Sequence, residues 1–259
     1  MTHSISISLS NCCAKHKILC LQLPFPLSVL FTRIYKENKE RWQEFVTKKD
    51  FSVSEVDWES EVENNARQGM IRVVCMSDTH SQHDKAEHSA PPGDVFIHTG
   101  DFTNYGRREE VQRFNAWLAT LPHKHKIVIA GNHEITFDPK SFANYEAKKK
   151  IFGANFDTES PEVNTFPNFA QLLTNCIYLE DSGVEVLGLK IYGTPWVPGF
   201  GSEWGFTLMS EWERLERWRL VPADTDLLLT HCPPLGIGDR AGHNRDSNIG
   251  CPQLLRYGS

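Results

Sequence analysis

Four short stretches of this chain hold residues that can do chemistry together: Asp78-x-His80, Gly100-Asp101, Gly131-Asn132-His133-Glu134 and Thr230-His231. Each is uninformative alone. Their shared feature is placement, since each follows a short apolar run of the kind that forms a buried strand. Loops at the C-terminal ends of strands are where open α/β sheets build their sites. Asp, His and Asn are metal-ligating types, and a mixed set suits Mn, Fe or Zn better than the all-oxygen cages of Mg or Ca. Two cations about 3.5–4 Å apart can clamp the attacking and leaving oxygens of a phosphoryl transfer and lower the pKa of a bridging water. One carboxylate must span such a pair. Asp101 is the natural candidate, because a short side chain at a rigid strand end holds the spacing better than Glu. The neutral amide of Asn132 can bind a cation without adding negative charge against an incoming phosphate. His133, beside it, is placed to stabilise the transition state or protonate a leaving group. Glu134 reads as an anchor behind the ligands.

The elements that must position these residues are legible too. Strands are expected at 71–76, 95–98, 126–130 and 226–230. Val111, Phe114, Trp117, Leu118 and Leu121 recur at spacings of three and four, which predicts an amphipathic helix over 107–121, stopped by Pro122. Further helices are expected over 139–151 and 210–220. Residues 176–192 read as a β-hairpin with a turn at Asp181-Ser182-Gly183. The order predicts an α/β fold with two sheets faced by helices.

The wording of the motifs, SDTHSQHD, HTGDFTNYG, IVIAGNHEITFD and LLLTHCPPLG, resembles the calcineurin-like metallophosphoesterase superfamily. With IYGTPWVPGFGSEWGF between them, it is closer still to the metallophosphoesterase-domain-containing brain and fetal-brain proteins. The similarity covers about residues 50–255. It implies a four-layer αββα sandwich. It also implies that Asp78 and His80 bind one metal, Asp101 bridges, Asn132 and His231 bind the other, and His133 is catalytic. Implied substrates are small phosphodiesters such as cyclic nucleotides, and nucleoside monophosphates are implied ligands.

Two departures stand against that resemblance. Where the superfamily often has an acidic residue three positions after the bridging Asp, this chain has Asn104, which cannot stabilise an imidazolium by charge. The closing GHxH-like loop also has no clear counterpart. Gly242-His243-Asn244 is the only Gly-His pair after His231, and no strand precedes it. The expectation is a sandwich lacking its last strand or strands, with an exposed sheet edge. Two alternative readings follow: a catalytically impaired nucleotide-binding or scaffold form, and a folding-defective fragment.

The 259 residues carry 27 basic against 33 acidic side chains, a formal charge of −6. This excludes a general nucleic-acid binder, which needs a basic excess. Residues 1–50 read as a non-globular or alternative N-terminus, 51–68 as a lead-in, and 69–259 as the metallophosphoesterase domain. The apolar run at 18–31 is broken by Pro24 and Pro26 and is too short to span a bilayer. The seven cysteines show no CxxC spacing, which suits reduced thiols and a cytoplasmic protein. His98 reads as a core histidine, and His83, His88, His123 and His125 as solvated. His243 reads as loop rather than ligand. Tyr192, Trp196, Trp204 and Phe206 read as core, with base stacking as the alternative, and Cys232 as a buried thiol.

Overall fold

The computed structural model describes residues 6–10, 18–23, 53–54, 71–85, 90–199, 201–235, 239 and 249–257. The first strands are β1 (Ser6–Ser10), β2 (Ile18–Leu23) and β3 (Val53–Ser54). β4 (Ile71–Met76), β5 (Val95–Thr99), β6 (His125–Ile129) and β7 (Ile177–Tyr178) follow, parallel and side by side. Together they form a seven-stranded sheet ordered β3-β1-β2-β4-β5-β6-β7. β5 and most of β4 are buried, as strands covered on both faces must be. β2 pairs antiparallel with β4, Leu19 opposite Cys75 and Leu21 opposite Val73. Two segments of the N-terminus read as non-globular are therefore strands that extend this sheet, and pairing covers an edge β4 would otherwise leave open. The remainder of that segment and of the lead-in lies outside the described residues.

α1 (Arg108–Thr120) covers one face of the sheet, burying Val111, Phe114 and Leu118 against Val74, Phe96 and Val128. The expected helix over 139–151 is two helices, α2 (Pro139–Phe142) and α3 (Tyr145–Phe152). Asn144 restarts the chain between them, its side chain accepting from the N–H groups of Glu146 and Ala147 at 2.9 and 3.4 Å. A short α4 (Pro161–Asn164) follows.

The opposite face of the large sheet packs on a second sheet. That sheet contains β8 (Ser182–Val186) and β9 (Leu189–Thr194), which form a hairpin. Its turn is Leu187-Gly188, not the expected Asp181-Ser182-Gly183. Both turn residues have positive φ, 53° and 79°, the geometry that a two-residue connection demands. Residues 179–182 instead carry the chain from one sheet to the other. Asp181 pins the crossing by accepting from Thr194 Oγ1, Trp196 Nε1 and Arg217 Nη1 at 2.6–2.8 Å. After the short β10 (Val197–Pro198), β11 (Thr207–Leu208) and α5 (Glu211–Trp218), β12 (Leu227–Thr230) joins β9 in parallel. α6 (Pro252–Tyr257) ends the described chain.

Ile71, Val73, Ile97, Ile127 and Ile129 of the first sheet meet Val186, Leu189, Ile191 and Leu229 of the second in one apolar core. Each such side chain contributes about 1.5–3 kcal/mol on burial. Alternate residues of β12 point the other way, and Leu228 packs into the cluster holding Trp218 of α5 and Leu254 of α6. The layers run helix, sheet, sheet, helix, as the sequence predicts. Among the described residues, β12 is an edge of the second sheet.

Candidate functional site

Pairing of Met76 with His98, and of Thr99 with Ile129, brings the ends of β4, β5 and β6 to one edge. Three backbone bonds lay the first loop on the second: Asp78 N–H to Gly100 O at 3.0 Å, and His80 N–H to Asp101 O and Ser81 N–H to Phe102 O, both at 2.9 Å. The contact is bought with backbone strain. Asp78, His80, Ser81 and Asp101 have φ of 55°, 41°, 60° and 55°, a region that side chains bearing a Cβ rarely adopt. The second and third loops meet more closely. A Cβ on Gly131 would lie 2.3 Å from Asp101 Oδ1 and 2.7 Å from His231 Cε1, so only glycine lets Asp101 take its place.

Glu134 ties these loops from behind. It is fully buried and accepts four hydrogen bonds, from the N–H groups of Asp101, Gly131 and Thr103 and from Thr103 Oγ1, at 2.7–2.9 Å. Burial, reinforced by the Asp101 charge, pushes its carboxyl up to about 7. With both oxygens engaged, it is an anchor.

Asp101 is the hub. Its Oδ1 accepts from His133 N–H at 2.9 Å and lies 3.3 Å from His231 Nε2, while Oδ2 lies 3.9 Å from His80 Nε2 and 3.8 Å from His133 Nε2. Burial opposes ionisation of this carboxyl, but His231 and then His133 outweigh it and hold it below the usual carboxylate range. Burial alone would lower the His231 imidazole, yet the Asp101 carboxylate lifts it to about 10. Burial dominates at His133 and lowers it.

Ring orientation follows from what a carbonyl can do. His231 Nδ1 lies 2.8 Å from Thr99 O, and a carbonyl only accepts, so Nδ1 carries the hydrogen and Nε2 faces Asp101 and Asn132 Oδ1, the latter at 3.2 Å. His133 Nδ1 lies 2.6 Å from Asn104 O in the same way. The side chain of Asn104 is not the acceptor. Its Nδ2 donates to Glu110 Oε1 at 3.1 Å, and the backbone carbonyl orients the imidazole instead.

Asp78, His80, Asp101, Asn132, His133 and His231 thus come together. His80, Asp101 and His133 form one group whose ligand atoms lie within 4.8 Å of one another, and Asp78, Asp101 and His231 form a second. This grouping divides the residues differently from the pairing implied by the resemblance, but Asp101 is common to both. Two carboxylates, three imidazoles and an amide converging without a basic side chain among them fit divalent cations that accept mixed N and O donors.

The histidines read as solvated are not all so. His83 is buried against Phe114 and Trp117, ring centroids 5.2 Å away in each case, and burial lowers it to about 4. His123 is buried beside Phe96, and His125 is half-buried. His98 is a core histidine, with Nε2 3.1 Å from Thr79 Oγ1 and Nδ1 unpartnered among the described residues. His88 and His243 lie outside the described residues. Tyr192, Trp196 and Phe206 are core, and Cys232 is buried against Cys251. Trp204 and Tyr105 were missed as neighbours of the site. They flank His133 at centroid distances of 4.4 and 6.4 Å.

A strand-end cluster of this kind on two packed sheets defines a class of metal-dependent phosphoesterase folds, and the comparisons agree. The calcineurin-like phosphoesterase family matches residues 71–254, and the chain belongs to that family. Metallophosphoesterase domain-containing protein 1 of Homo sapiens is 46% identical over 187 residues, covering 72% of this chain and 56% of that protein. The UPF0046 protein C25E10.12 of Caenorhabditis elegans is 42% identical over 189 residues, covering 71% and 62%. The chain therefore spans little more than half the length of these curated relatives. Among the described residues, no helix is long and apolar enough to cross a membrane.

Proposed function

We propose that the chain is a metal-dependent hydrolase of small phosphodiesters such as cyclic nucleotides, with two divalent cations, Mn, Fe or Zn, as cofactors. The observation that supports it is Asp101, buried and shared by two groups of potential ligands. In this reading Asp78 and His80 serve one cation, Asn132 and His231 the other, and Asp101 both. Bound cations would supply Lewis acidity toward a phosphoryl oxygen and lower the pKa of a water at the site. The chain does the rest. Thr99 O holds His231 with Nε2 toward the ligands, and Glu134 holds the second and third loops at a fixed spacing. His133 donates its Nδ1–H to Asn104 O, which leaves the Nε2 lone pair toward the substrate, where it can take a proton from a water at the site and pass it to the departing oxygen. Among the described residues, Cys176, Cys232 and Cys251 are thiols outside any disulfide, which suits a reducing compartment such as the cytoplasm.

The test is hydrolysis of bis(4-nitrophenyl) phosphate by the purified chain with Mn. Turnover above the metal-only blank is expected, and its removal by Asp101→Asn. An inactive chain that still takes up Mn would overturn the hydrolase reading and favour a binding or scaffold form.

A further inference from the structure

The departure at residue 104 leaves His133 Nδ1 without a carboxylate partner, yet a carboxylate is close by. His133 Nδ1–H donates to the oxygen of the peptide joining Asn104 to Tyr105. The N–H of that same peptide donates to Glu110 Oε2 at 3.2 Å. A single peptide therefore sits in line between imidazole and carboxylate. Negative charge on its N–H side draws electron density onto its oxygen, so the two hydrogen bonds strengthen each other. Glu110 also accepts from Asn104 N–H at 3.2 Å, Asn104 Nδ2 at 3.1 Å and Arg107 N–H at 2.9 Å. Ser81 Oγ, next to His80, donates to it at 3.4 Å. Glu110 is the third residue of α1, where the helix N-terminus favours a carboxylate, and it caps the N–H of Arg107, which precedes the helix. That cap accounts for one of the five donors. The others belong to the loop that carries the acceptor of His133 and to the loop that carries His80.

We propose that Glu110 is the positioning residue of His133, acting through the Asn104–Tyr105 peptide in place of the carboxylate that residue 104 lacks. It fixes the ring in its Nδ1–H form and leaves Nε2 to the substrate. Trp204 and Tyr105 pack beside the ring, and Lys150 Nζ lies 3.7 Å over Trp204, so the ring is held laterally while Glu110 sets its hydrogen bond. The consequence for turnover rests on the hydrolase reading above, but the effect on the ring does not.

The test uses the full chain and two readouts. Long-range 1H–15N spectra, with His133 assigned by its loss in His133→Gln, should show one Nδ1–H tautomer. Glu110→Gln turns an amide toward the N–H groups it must accept from, and should give a mixture of tautomers with the fold retained. Glu110→Asp keeps a charge at the helix start but withdraws the oxygens, and should do the same. It covers the case in which the Gln variant loosens α1. With Mn, kcat for an alkyl phosphodiester, whose leaving group needs a proton, should fall about 10–100-fold, against a few-fold at most for the 4-nitrophenyl ester. An unchanged tautomer in both variants, or equal losses for the two esters, would overturn the proposal. A tautomer change in a chain with no wild-type turnover would uphold it and contradict the hydrolase reading alone.

Discussion

Two sets of histidines lie near the same sheet end, and they differ in what faces them. His80, His133 and His231 gather on Asp101, whereas His83, His98 and His123 sit among Phe96, Phe102, Phe114 and Trp117. Asp101 lifts His231 to about 10, while burial lowers His83 to about 4 and His98 to about 3. Burial also lowers His133 within the site, so a lowered imidazole does not by itself mark a core histidine. The facing carboxylate marks the site, since His80, His133 and His231 each lie 3.3–3.9 Å from an Asp101 oxygen.

The comparison breaks most severely if that carboxylate is removed. Asp101→Asn takes a ligand from both candidate groups, and loss of a supporting residue alone costs about 10–100-fold at metal sites, so phosphodiester turnover should fall by more than about 100-fold. Retained turnover would place the chemistry elsewhere.

The aromatic set is sharpened by acid. In the unfolded chain His83 takes up a proton near pH 6.5, but in the folded chain only near pH 4. Above pH 6.5 the two states bind equally and nothing is lost. As pH falls from 6.5 to 4 the unfolded state gains a proton that the folded state refuses, and stability declines by about 3 kcal/mol. His83→Leu should remove this loss, read as a flatter dependence of urea midpoint on pH, with turnover near neutrality retained. An unchanged acid slope would show that His83 is not buried neutral.

The smallest effect concerns strain. Positive φ recurs at the site and at Leu187, 44% exposed in the hairpin turn. Leu187→Asn should stabilise the chain by about 0.5–1 kcal/mol in thermal unfolding and leave turnover unchanged, because strain there positions nothing.

The strand-end motifs were readable because parallel buried strands are continuous apolar runs, and each ends abruptly in Asp, His or Asn. α1 was readable to within a residue at each end from its spacing. The hairpin turn was not, since Leu187 is a poor turn residue and Asp181-Ser182-Gly183 a good one. Tertiary demand put Asp181 to use as a pin between sheets. The burial of His83 and His123 was hidden in polar surroundings, SQHD and PHKHK, because the rings that cover them come from α1 and β5. Glu110 was hidden for a related reason. Its place in the first turn of the expected helix reads as an ordinary acidic residue near a helix start, and nothing in the sequence says that the same oxygens reach the loop holding His133.

The central claim is that Asp101 and its neighbours hold paired cations. Equilibrium dialysis of the metal-stripped chain against Mn, followed by elemental analysis, tests it most directly. About two ions per chain are expected, and fewer than one in Asp101→Asn. A wild-type chain that takes up no ion, or an Asp101→Asn chain that takes up as many as wild type, would contradict it.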